Sequence, residues 1–272
     1  MTILERRVVF SSGHRYWDPS LDAEANLVRF GRWASPYNHG HNYVAWVAIA
    51  GEVEPASGMV VNIKDLDAIL QARLVGVLDQ RSLNDDVLFF RDRSPSLENL
   101  LAFCREQIEP ELPPSVRLVS IRVAETETLS ATLNIEPAPM ISLTRTYEFA
   151  ASHRLHSPHL SDEENVRAYG KCNHVHGHGH NYVLEVTVSG EPDPASGMLV
   201  DLDHLDTVVE REVVDRYDHR NLDVDVEELR GQVTTSENVA KAIFDRLDAS
   251  LGSLLSRVRL LETARNAFEV RR

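Results

Sequence analysis

The stretch HNYVLEVTVSGE (180–191) places Tyr182, Leu184, Val186 and Val188 at every second position. Side chains two apart on an extended chain share a face, so this is a strand with one buried side. An earlier β run, YEFAASHRL (147–155), leads into a polar loop that returns into it. Pro194 and Gly197 then end the arm with a turn. Across 203–217, Leu205, Val208, Val209 and Val213 recur at helical spacing. Thr234-Thr235-Ser236-Glu237 reads as a capping box that opens a second helix, buried through Val239, Ile243, Phe244 and Leu247. Short β runs at 258–262 and 267–270 close the segment. Strands, helices, then strands describe an α+β domain, an antiparallel sheet with helices on one face.

The first half of the chain repeats this plan. FSSGHRYWDPSLDAEANLVRFG (10–31) lies over FAASHRLHSPHLSDEENVRAYG (149–170), and EPASGMVVNIKDLDAIL (54–70) over DPASGMLVDLDHLDTVV (193–209). The register is constant at 139 residues, His14 under His153 and Asp79 under Asp218, and slips by two only near the ends. A repeat this long, present twice, means two copies of one domain. Two prolines in EPAPMISLTR (136–145) mark the joint, dividing the chain into 1–138 and 139–272.

Composition narrows the function. Of 272 residues, 43% are hydrophobic and 26% charged, enough for a real core. The net charge of -14 argues against nucleic acid and anionic membranes as partners, because both demand a basic face. Two cysteines, Cys104 and Cys172, make no disulfide framework and fit a reducing compartment. With neither a secretory leader nor a membrane-length apolar run in the sequence, the expected location is the cytoplasm.

The second half also carries CNHVHGHGHNY (172–182). On a strand, His178 and His180 present two imidazoles side by side, and His153 on the preceding strand offers a third. Three imidazoles without a fourth protein ligand form an open zinc site, whose free position takes water or a substrate oxygen. The bland reading is a solvated histidine-rich loop. Repetition of the spacing as His14, His39 and His41 makes chance a poor account.

Several motifs in order now carry a resemblance: FAASHRLHSP, SDEENVRAYGKCNHVHGHGHNY, DPASGMLVDL, YDHRNLD, TTSENVA and LLETARNAF. The second half resembles the 6-pyruvoyl-tetrahydropterin synthase family over nearly its whole length. The resemblance implies a tunnelling fold, in which four-stranded sheets assemble into a barrel with active sites between subunits. It places zinc on His153, His178 and His180, the catalytic cysteine on Cys172, and the catalytic Asp-His pair on Asp218 and His219. The pterin-anchoring glutamate falls on Glu262, and neighbouring hydroxyl residues on Thr235 and Ser236. The implied substrate is 7,8-dihydroneopterin triphosphate, which leaves room for magnesium on the triphosphate beside zinc on the protein. Lys171, Arg154 and His176 are candidate triphosphate contacts. Two further readings stay open. One is a related 6-carboxy-tetrahydropterin synthase of the deazapurine (queuosine) pathway or a side-chain-cleaving relative, since Cys172-x-x-x-His176-Gly-His178 also fits its spacing. The other, for the first copy, is a zinc-binding scaffold without turnover.

The first copy keeps His14, His39, His41 and a carboxylate at Glu125, but Trp33 stands where Cys172 stands and Gln80 where His219 stands. Neither an indole nor a carboxamide exchanges protons near neutral pH. This copy is therefore expected to bind metal without running the same reaction. A homo-oligomer is expected, with three chains imitating a hexamer: one barrel of first copies and one of second copies.

Overall fold

A computed structural model describes residues 1–272. The chain divides into two compact units: Met1–Leu143 with Ser189–Asp201, and Thr144–Val188 with Leu202–Arg272.

In the first unit, β1 (Thr2–His14), β2 (His39–Gly51), β4 (Val116–Thr126) and β5 (Leu129–Asn134) form an antiparallel sheet, with the two-residue β3 (Arg81–Ser82) parallel to the end of β1. Alternation decides its buried face: Tyr43, Ala45, Val47 and Ile49 on β2 are at most 1% exposed. Two helical segments cover that face. One runs Ile63–Leu70 and continues through a π turn to Leu78; the other is Leu97–Ile108. Leu66, Leu70, Leu74 and Leu78 fill the space between helix and sheet. Cys104 is buried on the second helix, as a small apolar residue would be.

The second unit repeats the plan. β6 (Met140–His153), β7 (His178–Gly190), β9 (Leu255–Thr263) and β10 (Asn266–Arg271) lie in that order, with β8 (Arg220–Asn221) parallel to β6. Tyr182, Leu184, Val186 and Val188 are all fully buried, as the alternation predicts. Leu205, Val208, Val209 and Val213 are buried too, on a helix that starts at Leu202 and reaches Tyr217 through a π turn at Glu210–Val214. No helix is long and apolar enough to cross a membrane.

Two sequence expectations shift. The cap of the helix Ser236–Leu251 is Thr235, whose hydroxyl accepts the Asn238 N–H, so Glu237 sits one position short of a capping box. A true capping box forms elsewhere, between Ser161 and Glu164. Phe244 is only partly covered, because its helix turns Ile243 and Leu247 toward the sheet.

Leu184 lies on a central strand, between β6 and β9, and is fully buried. Leu184→Ala is expected to cost about 3 kcal/mol of stability through lost contact and a residual cavity, read as a lower midpoint in denaturant unfolding.

Candidate metal centre and active site

Strand register builds both histidine sets. In the first unit β1 and β2 pair so that His14 lies opposite His39 and Ser12 opposite His41. His39 and His41 lie two apart on one strand and share a face, and His14 comes from the neighbour. In the second unit His178 and His180 likewise lie two apart on β7, and His153 ends the neighbouring strand β6. In each set one ligand nitrogen per ring lies within 4.8 Å of the others.

The rings are oriented from behind. His153 Nδ1 lies 2.8 Å from the Thr234 carbonyl, which can only accept, so Nδ1 carries the proton and Nε2 a free lone pair. His14 is fixed in the same way by the Pro95 carbonyl at 3.1 Å. His153 Nε2, His180 Nε2 and His178 Nδ1 are buried with no hydrogen-bond partner, as are His14 Nε2 and His41 Nε2. Buried polar atoms are normally paired, and lone pairs converging from three rings fit a cation that all of them ligate. Burial holds His153 and His180 below the ordinary imidazole range, and takes His14 to about 3, helped by the nearby His39, and His41 to about 4. Neutral rings are the form a metal needs.

A carboxylate borders each set, and here the copies part. Glu262 Oε1 lies 3.7 Å from His153 Nε2 and 3.8 Å from His180 Nε2. The Ser236 hydroxyl donates to Glu262 at 2.8 Å, and the Asn266 amide at 2.7 Å. Burial opposes its charge, but these bonds hold the Glu262 carboxyl below its ordinary value. In the first copy Glu125 lies 3.6 Å from His14 and His41, yet Leu97 and Leu129 occupy the positions of Ser236 and Asn266. The sequence reading named Ser236 but missed Asn266, whose only signal was a polar residue at a hairpin turn beside the glutamate.

Asp218 accepts the Ala150 N–H at 2.7 Å and His219 Nδ1 lies 2.6 Å from its other oxygen. Those contacts, the Ala150 N–H first, hold the Asp218 carboxyl below its usual range. Asp79 accepts the Ser11 N–H in the same way, so the aspartate braces a strand in both copies. What distinguishes the second copy is His219, a mostly exposed imidazole at positive φ where the first copy has Gln80, also at positive φ. His219 and His180 line one surface hollow, with Ser152, Asn181 and Asn221. Cys172 is a half-buried free thiol in the turn Gly170–Asn173, outside that lining. Trp33 takes its place in the first copy, its ring 6.1 Å from that of Tyr16. Thr235 caps its helix beside Ser236. Lys171 and His176 are exposed, and Arg154 donates to the Asn173 carbonyl.

The model of the family described as 6-pyruvoyl tetrahydropterin synthase matches twice, over residues 3–136 and 142–272. The chain belongs to this family. It is a tandem duplication of the family domain. A 6-pyruvoyl tetrahydrobiopterin synthase of Drosophila melanogaster is 45% identical over 135 residues, covering 49% of this chain and 80% of the relative. The human protein of that name is 47% identical over 125 residues, 46% of this chain and 86% of the relative. A putative 6-carboxy-5,6,7,8-tetrahydropterin synthase of Archaeoglobus fulgidus is 35% identical over 116 residues, covering 43% of this chain and 92% of the relative. Among solved structures, the Caenorhabditis elegans 6-pyruvoyl tetrahydropterin synthase is 46% identical, covers 49% of this chain and 96% of its own, and has a TM-score of 0.48.

With two complete histidine sets, protein purified with metal present is expected to hold two ions per chain, measured by elemental analysis. Replacing His39 and His41 together by Ala should leave one; two retained ions would remove the first set as ligands.

Proposed function

We propose that residues 139–272 form a zinc-dependent carbon–oxygen lyase acting on a phosphate ester. It is of 6-pyruvoyl-tetrahydropterin synthase type and converts 7,8-dihydroneopterin triphosphate with loss of triphosphate. Residues 1–138 form a metal-binding copy without this turnover, and the chain works as a homo-oligomer. The observation that supports this most is Glu262, a carboxylate fixed by Ser236 and Asn266 at the border of the histidine set. Such a group suits the adjacent ring and amino N–H donors of a pterin, which it can accept as a pair.

The residues then divide the work. Glu262 anchors the pterin, with Thr235 and Ser236 beside it, and so fixes where the side chain of the substrate falls. His153, His178 and His180 would hold zinc, which supplies Lewis acidity to the side-chain hydroxyls and so acidifies the neighbouring C–H bonds. Cys172 takes the proton as general base. Asp218 fixes the His219 ring through Nδ1, leaving Nε2 to donate or relay a proton. The side-chain carbon next to the ring is oxidised to a ketone as the ring C=N bond is reduced. Elimination of triphosphate followed by tautomerisation gives the second ketone, so no external oxidant or reductant is used. His219 lies in the hollow beside His180 and Cys172 does not. In a homo-oligomer with sites at domain borders, the thiol and the Asp-His pair reach one substrate from different chains. Magnesium is assigned to the triphosphate, outside the protein ligand set. Two free cysteines fit a cytoplasmic setting.

The 6-carboxy reading has support from a relative of that name. It uses the spacing from Cys172 to His176 and His178. In the structure His176 is exposed, and the clustered rings are His178 and His180, which favours the five-residue spacing of the pyruvoyl type.

Incubation with dihydroneopterin triphosphate is expected to release triphosphate and yield the pyruvoyl product by mass. Cys172→Ala should lower the rate at least about a hundredfold. Acetaldehyde formation would point to the side-chain-cleaving relative, and absence of turnover to a scaffold.

Asn266→Leu copies the first unit's residue onto the second. Losing one donor to a charged anchor should raise KM about ten-fold, with kcat changed less, measured by steady-state kinetics.

A further inference from the structure

His153 enters the second histidine set from the end of β6, and what stands behind it differs between the copies. Its Nδ1 donates to the Thr234 carbonyl at 2.8 Å, and both residues are fully buried. The Thr234 hydroxyl in turn donates to Asp223 Oδ1 at 2.6 Å. A hydroxyl bonded to an ionised carboxylate has a length of about 2.5–2.7 Å, and such a bond is stronger than one between neutral groups. The other carboxylate oxygen, Oδ2, accepts the backbone N–H of Arg154 at 2.6 Å. Leu222 N–H donates to the Ser152 carbonyl at 2.8 Å. The loop that carries Asp223 is therefore tied to the strand on both sides of His153, and its carboxylate also reaches the residue behind the ring.

The carboxylate is itself set in place, because Asp223 N–H donates to the side-chain oxygen of Asn221 at 3.0 Å. A continuous path results: carboxylate to Thr234 hydroxyl, Thr234 carbonyl to His153 Nδ1–H, and His153 Nε2 among the other ligand nitrogens.

The first copy lacks this path. Asn84 stands where Asp223 stands, and Pro95 where Thr234 stands. Asn84 accepts the Arg15 N–H at 3.0 Å and donates to the Arg15 carbonyl at 3.1 Å, so it holds the end of the strand. Proline has no hydroxyl, and its carbonyl meets the His14 ring at the longer distance of 3.1 Å. A neutral amide is thus enough to fix the strand. The carboxylate and the hydroxyl are additions, and they occur in the copy that carries Cys172 and His219.

We propose that Asp223 and Thr234 are positioning residues for the metal. Through the Thr234 carbonyl they hold the His153 ring in the tautomer and direction that a ligand needs. This rests on the zinc-holding role proposed for His153, His178 and His180. A group that receives the second ring N–H of a ligand histidine fixes its orientation and raises its basicity, and its loss costs about 10–100-fold in metal affinity or activity. Without the hydroxyl bond the Thr234 carbonyl loses its tie to the loop, and a turned ring aims its lone pair away from the set.

The test uses the full chain carrying His39→Ala and His41→Ala, in which zinc binds at the second set alone. Its zinc dissociation constant is measured by competition with a chromogenic chelator, before and after adding Thr234→Val, Thr234→Ser or Asp223→Asn. Valine keeps the shape of threonine without the hydroxyl, serine keeps the hydroxyl, and asparagine already serves at the matching position of the first copy. The metal-free circular dichroism should therefore stay that of the parent chain. Thr234→Val and Asp223→Asn are expected to weaken zinc binding at least about ten-fold, and Thr234→Ser to leave it at the parent value. Cobalt in place of zinc should show a changed visible spectrum with valine and an unchanged one with serine. Zinc held by Thr234→Val or Asp223→Asn as tightly as by the parent would overturn the positioning role and leave the metal site standing. Equal weakening by Thr234→Ser would overturn it as well, since the hydroxyl would not be the cause. A parent chain that binds no zinc would remove the metal site and this inference together.

Discussion

Three imidazoles brought within one ligand sphere, with their lone pairs turned away from water, are the constraint on which each unit is built. Such an arrangement is unfavourable unless a cation takes the lone pairs, because each buried nitrogen has given up its bonds to solvent. The backbone is arranged to hold it. Adjacent strands fix the lateral distance between rings, the two-residue period aims two of them to one side, and the Thr234 and Pro95 carbonyls set the tautomer of the third. Gly177, just before the pair in the second copy, has φ of 69°, and a Cβ there would lie 2.6 Å from the His153 carbonyl. Only glycine lets the loop enter the strand so close to the ligand it serves.

Around this centre the two copies show how a scaffold and its chemistry separate. The strand-bracing aspartate persists in both, as Asp79 and Asp218, because its work is to hold a backbone N–H. The backbone at positive φ also persists, at Gln80 and His219, although only one of those side chains can carry a proton. The differences fall among the residues around the histidines. Cys172, Ser236, His219 and Asn266 are polar or titratable, whereas Trp33, Leu97, Gln80 and Leu129 are not titratable, and three of them are largely apolar. The histidines are kept in both copies while these neighbours change, so the fold does not depend on them.

The duplication also leaves the chain with matched surfaces in unmatched states. A turn that is covered in one copy is bare in the other, and the helix start that receives it is covered and bare in the opposite sense. Burial of Met198 and Leu199 removes apolar area from water, and the Glu98 carboxyl beneath them is raised above its ordinary value, because its own burial outweighs the hydrogen bonds it receives from the Leu199 N–H, its own N–H and Ser96. The counterparts Met59 and Glu237 are exposed in the single chain.

Much of this was legible in the residues. The period of two through Tyr182, Leu184, Val186 and Val188 and the helical spacing of Leu205, Val208, Val209 and Val213 predict the buried faces, because local geometry alone determines which side chains share a face. The repeat of 139 residues shows two copies, and the recurrence of three histidines in both shows where a metal would bind. Properties that depend on the meeting of distant segments were not legible. The exact helix cap, one residue from its expected place, turned on which hydroxyl reached an N–H. The role of Asn266 and the carbonyl of Thr234 behind His153 required strands and loops to be brought together across the unit. The two settings of one turn are the clearest case: PASGM is identical in both copies, so no local property distinguishes them, and only packing against Ser96, Glu98 and Asn99 makes one buried and leaves the other in water.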